Sequence, residues 1–407
     1  MRDLAARTIA ECRHIATMSE ESGRITRRFL TLPMHAVHAH LRARMEALDM
    51  AVHVDAIGNL RGLWHSTASP DKRLVLGSHI DTVPDAGAFD GVLGVTLALE
   101  WVGLAQELAL PLAIEVIAFS EEEGVRFGIP FLGSRAVAGD FDPALLTLED
   151  PQGVSVEAAI RNFGLDPSHI DEAKLHPSAM AFVEVHIEQG PVLEAESLSV
   201  ATVTSIVGQT RLCMVFTGHA NHAGTTPMHL RHDALAAAAE WIAAVEALAR
   251  RTDGLVATVG KMSVEPNAGN VVPGVVTVSL DLRHANDPIR RKAVEELSDK
   301  AILIANRRGI NLQRTDKMDQ PAVPMDERLT SFLADAIEAA GFHAKTMPSG
   351  AGHDAMVMAA RVPTAMLFLR SPGGISHHPD ESVLEEDVEA SLDVAREFLL
   401  RLAKDIG

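Results

Sequence analysis

Short apolar runs in this chain repeatedly end on histidines and carboxylates, and that recurrence constrains the fold more than any other feature. Leu74 to His79 leads into Ile80-Asp81 and then Phe89-Asp90-Gly91. Ile114 to Phe119 leads into Ser120-Glu121-Glu122-Glu123-Gly124, and Phe182 to His186 into Ile187-Glu188-Gln189-Gly190. Thr364 to Leu369 precedes Ser376-His377-His378-Pro379. Runs this short read as buried strands, whereas the Ala/Leu/Val-rich stretch from Gly91 to Leu108 reads as a helix. Strands alternating with helices imply a mainly parallel sheet covered by helices. Ligands in such α/β sheets gather beyond the carboxyl ends of the strands, where His79, the acidic triplet and His186 fall. Imidazoles and carboxylates bind zinc and other divalent first-row metals, so the pattern points to a metallohydrolase.

The rhythm changes near Gly208. Thr210 to Thr217 alternates as a half-buried strand, and Ala234 to Leu248 is an alanine-rich helix. Leu255 to Val264 and Val275 to Leu282 read as strands, Pro288 to Asn306 as a helix and Ile310 to Gln313 as a closing strand. The order β-α-β-β-α-β is that of a ferredoxin-like module. Helical and strand patterns resume after Pro324, with helices from Asp326 and from Leu384. The expected organisation is therefore an α/β metal-binding domain in two pieces, 1–207 and 325–407. A smaller α+β domain, 208–324, is inserted between them.

At 407 residues, two domains are the expectation from length alone. The formal net charge of −19 argues against nucleic acid or an anionic membrane as partner. Cys12 and Cys213 cannot build a disulfide framework and suit a reducing compartment. No run has transmembrane length, and the first residues read as an amphipathic helix rather than a signal peptide, so a cytoplasmic location is expected.

Each candidate ligand also has an ordinary reading. A His-x-Asp pair such as His79 and Asp81 is what a buried histidine bonded to a carboxylate looks like, although Asp81 is equally the acceptor that a metal-bound imidazole needs. Asp90, beside a helix start, suits an N-cap as well as a carboxylate bridging two metals. Glu121, Glu122 and Glu123 could be a solvated charge run. Among apolar neighbours, however, they would have raised pKa values, one carboxylate ligating while another serves as a base. His186 could be a core histidine, and His377 or His378 a surface one.

GSHIDTVPDAGAFDGVLGV, SEEEGVRF, VEVHIEQGPVLE, VGQTR, NHAGTTP, PNAGNVVPG, LDLRH, SGAGHDA and GGISHHPDE, in that order, resemble the motif series of the hydantoinase/carbamoylase family. That family groups N-carbamoyl-L-amino-acid hydrolases, β-ureidopropionases and allantoate amidohydrolases within the aminoacylase and carboxypeptidase clan. The resemblance implies two divalent metal ions per subunit, Zn, Mn, Co or Ni. His79, Asp90 and His186 would hold one, and Asp90, Glu123 and His377 the other. Glu122 would be the base, and Glu121 and His378 receive no role. Gln209, His222, Asn270 and Arg283 match the family's substrate contacts, Arg283 suiting a carboxylate grip. The resemblance further implies that the inserted domain is a lid and dimerisation module. His222 would then reach the neighbouring subunit's site in a homodimer and stabilise the oxyanion.

The expected reaction is hydrolysis of the terminal ureido C–N bond of an N-carbamoyl-L-amino acid or related ureido acid. Allantoate is the competing substrate, and a non-catalytic binder on the same fold is the competing function class.

Overall fold

The computed structural model describes residues 1–66 and 72–406. They form two compact units, Met1–Thr204 with Pro324–Gly407, and Ser205–Val323. The chain first lays down β1 (Ala51–Val54), β2 (Leu60–His65), β3 (Arg73–His79), β4 (Ala113–Phe119), β5 (Ala179–Ile187) and β6 (Val200–Ile206). The second unit then supplies β7 (Gly208–Thr217), β8 (Asn221–His222), β9 (Val256–Thr258), β10 (Met262–Glu265), β11 (Val271–Val272), β12 (Val275–His284) and β13 (Asn311–Gln320). The chain returns through β14 (Val323–Pro324), β15 (Thr346–Ser349) and β16 (Thr364–Leu369).

The large sheet has the order β1-β2-β4-β3-β5-β16-β6-β14, with β15 also on β6. Its centre, β4-β3-β5-β16, is parallel, and antiparallel strands β2 and β6 flank it. β3, β4, β5 and β16 are buried almost throughout, as strands covered on both faces must be. The helix Val92–Glu107 explains why. It packs on β3, β4 and β5 with one side and on the helices Arg2–Ala16 and Glu385–Ile406 with the other. It is accordingly apolar around most of its circumference rather than amphipathic. Trp101, wholly buried within it, contributes about 3 kcal/mol through apolar burial. Arg61 and Glu115 form a buried ion pair between neighbouring strands. The guanidinium donates from Nε and Nη2 to one carboxylate oxygen at 2.8 and 2.5 Å, and Arg73 donates to the other at 3.0 Å.

In the second unit the sheet order is β10-β12-β7-β13, with β9 also on β12. Leu212, Met214 and Phe216 of β7 and Val276, Val278, Leu280 and Leu282 of β12 share a core with Ala237, Trp241 and Val245 and with Val294 and Leu297. These come from the helices Ala234–Arg251 and Asp287–Arg308. Alternation by two leaves Gln209, Arg211, Asp281 and Arg283 on the other face.

Two sequence expectations change here. Leu255 to Val264 is two strands, because the register against β12 shifts by one residue between the Thr258↔Asp281 and Met262↔Val278 pairs. β13 runs to Gln320, well beyond Gln313, with a register shift between Asp316 and Met318. Its charged residues hide the strand period.

Candidate functional site

Parallel strands deliver the polar groups to one end of the large sheet. His79 closes β3, Ser120 to Glu123 follow β4, His186 lies near the end of β5, and the loop after β16 carries Ser376 and His377. Asp90 comes from the connection between β3 and the helix Val92–Glu107. Gly91 is that helix's N-cap and makes no side-chain cap, so Asp90 is not capping it. Gly91 has φ +66°, and a Cβ there would stand 2.5 Å from both ring nitrogens of His79. The close approach of backbone to imidazole therefore demands glycine.

Asp90 is the centre of the cluster. Its Oδ1 lies 3.5 Å from His79 Nε2 and 3.2 Å from His186 Nε2, and its Oδ2 lies 3.2 Å from His377 Nε2. His377 Nε2 is also 3.7 Å from Glu123 Oε1. Two ligand-type groupings result, His79–Asp90–His186 and Asp90–Glu123–His377, joined by one carboxylate. Both histidines are exposed, but His377, with φ +56°, is the one turned to Asp90, whereas His378 Nδ1 accepts from the Asp380 amide at 3.2 Å.

The donor set fits a cation. His79 Nδ1 donates to the Asp81 carbonyl at 3.0 Å, and His186 Nδ1 donates to the Ile187 carbonyl at 2.9 Å. In the neutral rings each Nε2 then carries a lone pair. These two nitrogens face one another at 3.5 Å beside Asp90 Oδ1, a buried oxygen that accepts no hydrogen bond. Such an arrangement requires positive charge between its members, from protons or from a metal. Titration reflects the same demand. Burial lowers the pKa of His79, but Asp81 and Asp90 outweigh it and leave the ring raised well above its usual range. His186 is raised by Asp90 against the same opposition from burial. The hydrogen bond to Asp90 pushes His377 up to about 9. Asp90 itself lies well below the carboxylate range because its three imidazole partners outweigh burial.

The acidic triplet divides its work. Glu121 Oε1 accepts from the Gly124 amide at 2.5 Å and so closes the turn after β4. Glu122 is 8% exposed, and burial, followed by the charge of Glu123, holds its carboxyl well above the usual range. Glu123 is pushed up to about 7 by burial and by Asp90. Asp81 serves both His79, whose Nδ1 lies 3.4 Å from its Oδ1, and the glutamates that follow β4. Its backbone carbonyl is the closest acceptor for His79, while its carboxylate receives the amides of Glu122 and Glu123 at 3.0 and 3.1 Å. It thereby ties the β3 and β4 ends together and sets the direction of both glutamates.

Sequence reasoning assigned nothing to two further residues here. Gln189 Nε2 donates to Asp90 Oδ2 at 3.0 Å and to Ser376 Oγ at 3.2 Å. Glu381 accepts from the Phe89 and Asp90 amides at 2.9 and 3.0 Å and from Ser376 at 3.2 Å, clasping the Asp90 and His377 loops. Both lie inside the quoted motifs, and only the fold reveals their partners. Two further groupings occur among the described residues: His79–Glu122–Glu123, which puts Glu122 beside the first two, and Glu184–His186–His353, which is already committed to structure. Glu184 accepts from Ser78 Oγ and the Ala355 amide, and His353 Nε2 is 2.9 Å from Ser349 Oγ.

The second unit holds the other candidates. Gln209 and Arg283 are register partners on β7 and β12. Both donate to Asp281, Gln209 Nε2 at 2.6 Å and Arg283 Nε and Nη2 at 2.9 and 3.0 Å. His222 and Asn270 meet at a small two-stranded ribbon, where the Ala223 amide donates to the Asn270 carbonyl at 2.9 Å. His222 is exposed. Its Nδ1 accepts from the amides of Gly224 and Thr225 at 3.0 and 3.1 Å, which puts the ring proton on Nε2.

A doubly covered parallel sheet with a carboxylate-bridged imidazole cluster at its carboxyl end defines a class, and the comparisons agree with it. The chain belongs to peptidase family M20/M25/M40, whose model matches residues 75–401. A probable allantoate deiminase of Oryza sativa subsp. japonica is 36% identical, over 94% of this chain and 86% of its own. The N-carbamoyl-L-amino acid amidohydrolase of Geobacillus stearothermophilus is 37% identical over 95% of each. The crystal structure of an amidase of the hydantoinase/carbamoylase family from Burkholderia multivorans superposes with a TM-score of 0.92 at 30% identity, covering 98% of both chains. Among the described residues no helix is long and apolar enough to cross a membrane.

Proposed function

We propose that this chain is a metal-dependent amidohydrolase cleaving the terminal ureido C–N bond of an N-carbamoyl-L-amino acid or related ureido acid. The balanced reaction adds one water and releases the amine, ammonia and carbon dioxide. The observation that carries the reading is Asp90, one buried carboxylate shared by two ligand groupings with Glu122 and Glu123 at its side. His79, Asp90 and His186 would hold one divalent ion, and Asp90, Glu123 and His377 a second, their mixed N/O character suiting Zn, Mn, Co or Ni. Bound divalent ions supply Lewis acidity, polarising the ureido carbonyl and lowering the pKa of water from about 15.7 toward about 7.

The chain's own groups do the rest. Glu122, whose burial holds its carboxyl well above the usual range, takes the proton from the attacking water and returns it to the departing nitrogen. Arg283, Asn270 and Gln209 grip the substrate's carboxylate end. His222, with its proton on Nε2, donates to the developing oxyanion. The inserted unit serves as lid and dimerisation module of a homodimer in which His222 completes the partner's site. The free thiols Cys12 and Cys213 support a reducing, cytoplasmic setting.

Allantoate is the second reading. It carries a carboxylate and ureido groups, and the relative named for allantoate is almost as similar as the one named for N-carbamoyl-L-amino acids. Ammonia release from allantoate and from a panel of N-carbamoyl-L-amino acids, on chelated and metal-restored protein, tests the proposal. Metal-dependent turnover of one of them is expected. Turnover of none after restoration, or full activity in the stripped protein, would refute it.

A further inference from the structure

Asp281 is the residue of the second unit around which the proposed carboxylate grip is organised. It sits two residues before Arg283 on β12 and opposite Arg211 on β7, while Arg283 is opposite Gln209. All four side chains therefore share one face of the sheet, in two adjacent cross-strand pairs. Asp281 Oδ2 accepts from Gln209 Nε2 at 2.6 Å, Arg211 Nε at 2.9 Å and Arg283 Nη2 at 3.0 Å, and Oδ1 accepts from Arg283 Nε at 2.9 Å. Arg283 is thus held by its Nε–Nη2 edge in a two-point fork. A fork of this kind fixes the plane of the guanidinium as well as its position. The three hydrogen-bonded donors outweigh burial and keep Asp281 ionised, with its pKa lowered. A partly exposed pair of this type contributes little to folding stability. Its clearest physical consequence is orientation.

We infer that Asp281 is the positioning residue of the substrate grip, its one carboxylate aiming both Arg283 and Gln209 at the carboxylate of a ureido acid. The inference rests on the preceding reading of Arg283 and Gln209 and adds to it the group that makes them a unit.

The test compares Asp281→Asn, Asp281→Ala and Arg283→Ala on the intact metal-loaded protein. The probes are N-carbamoyl-L-alanine and its carboxamide, N-carbamoyl-L-alaninamide, with the deureidated product quantified by chromatography. Both Asp281 variants should raise KM for the acid roughly tenfold or more, with kcat changed less than about twofold. KM for the carboxamide, which lacks the anionic end, should rise by less than about threefold. Arg283→Ala should show the same split. Equal losses on acid and carboxamide in Asp281→Asn, or no loss on either, would overturn the role of Asp281. If Asp281 shows no split while Arg283 does, only this inference falls. If neither does, or if wild type hydrolyses neither probe nor any other ureido acid, the underlying reading falls with it.

Discussion

The second proposed metal grouping is expected to bind its ion with a steep dependence on pH. In the metal-free protein His377 titrates at about 9, held up by Asp90, and Glu123 at about 7, held up by burial and Asp90. Both must lose their protons to ligate, so binding releases protons and affinity falls as pH falls. At pH 6 the histidine lies about three pH units below its pKa and the glutamate about one, a combined penalty of roughly four decades. At pH 7.5 the histidine still opposes binding by roughly thirtyfold, and the glutamate hardly at all. Affinity for the second equivalent of metal should therefore rise from pH 6 to pH 7.5, by at most about two orders of magnitude, because an ion already on Asp90 offsets the charge that holds both groups up. Competition against a chromophoric chelator measures this directly, and calorimetry in two buffers of different ionisation heat counts the protons released. His377→Ala should abolish the second equivalent and its proton release while leaving the first. A second affinity flat across this range, with no buffer-dependent heat, would refute the assignment of His377 and Glu123.

Three further outcomes are expected. Glu122→Gln should retain its metal by elemental analysis yet lose roughly two to four decades of rate, and near-normal turnover would remove Glu122 from the chemistry. Mixing His222→Ala with Asp90→Ala should restore part of the activity through hybrid dimers, whereas verified hybrids without activity would exclude a shared site. Burial, reinforced by His35 and Arg42, lowers His38 to about 4, against an ordinary value of 6.5. Below pH 6.5 the unfolded chain takes a proton that the folded chain refuses, so stability is lost as pH falls toward 4. His38→Leu should remove this loss, gaining about 2.5 kcal/mol on wild type between pH 7 and pH 4.5 in urea unfolding of chelated protein; parallel pH profiles would contradict it.

Much of this protein is written locally. The apolar runs that become β3, β4, β5 and β16 announce themselves, because strands buried on both faces need continuous hydrophobic sequence. His79, Glu123, His186 and His377 stand out as ligand chemistry after such runs. The long polar strand β13 is hidden because alternating charge carries little apolar period, and the break between β9 and β10 because it is a one-residue change of register against β12.

Which atom of each residue does what was decided only by folding. Sequence names Asp81 as a partner for His79; the closest acceptor is its backbone carbonyl, and its carboxylate, 3.4 Å from the ring, also braces the two glutamates. Asp90 could have capped a helix, and it faces three imidazoles because Gly91 lets the chain pass against His79. Glu381, Gln189 and Asp281 gain their meaning from partners brought by other strands and loops. Residue types and periodicity set which chemistry the chain can assemble and at which strand ends. Distances, tautomers and titration arise from contacts across hundreds of residues, which no local pattern encodes.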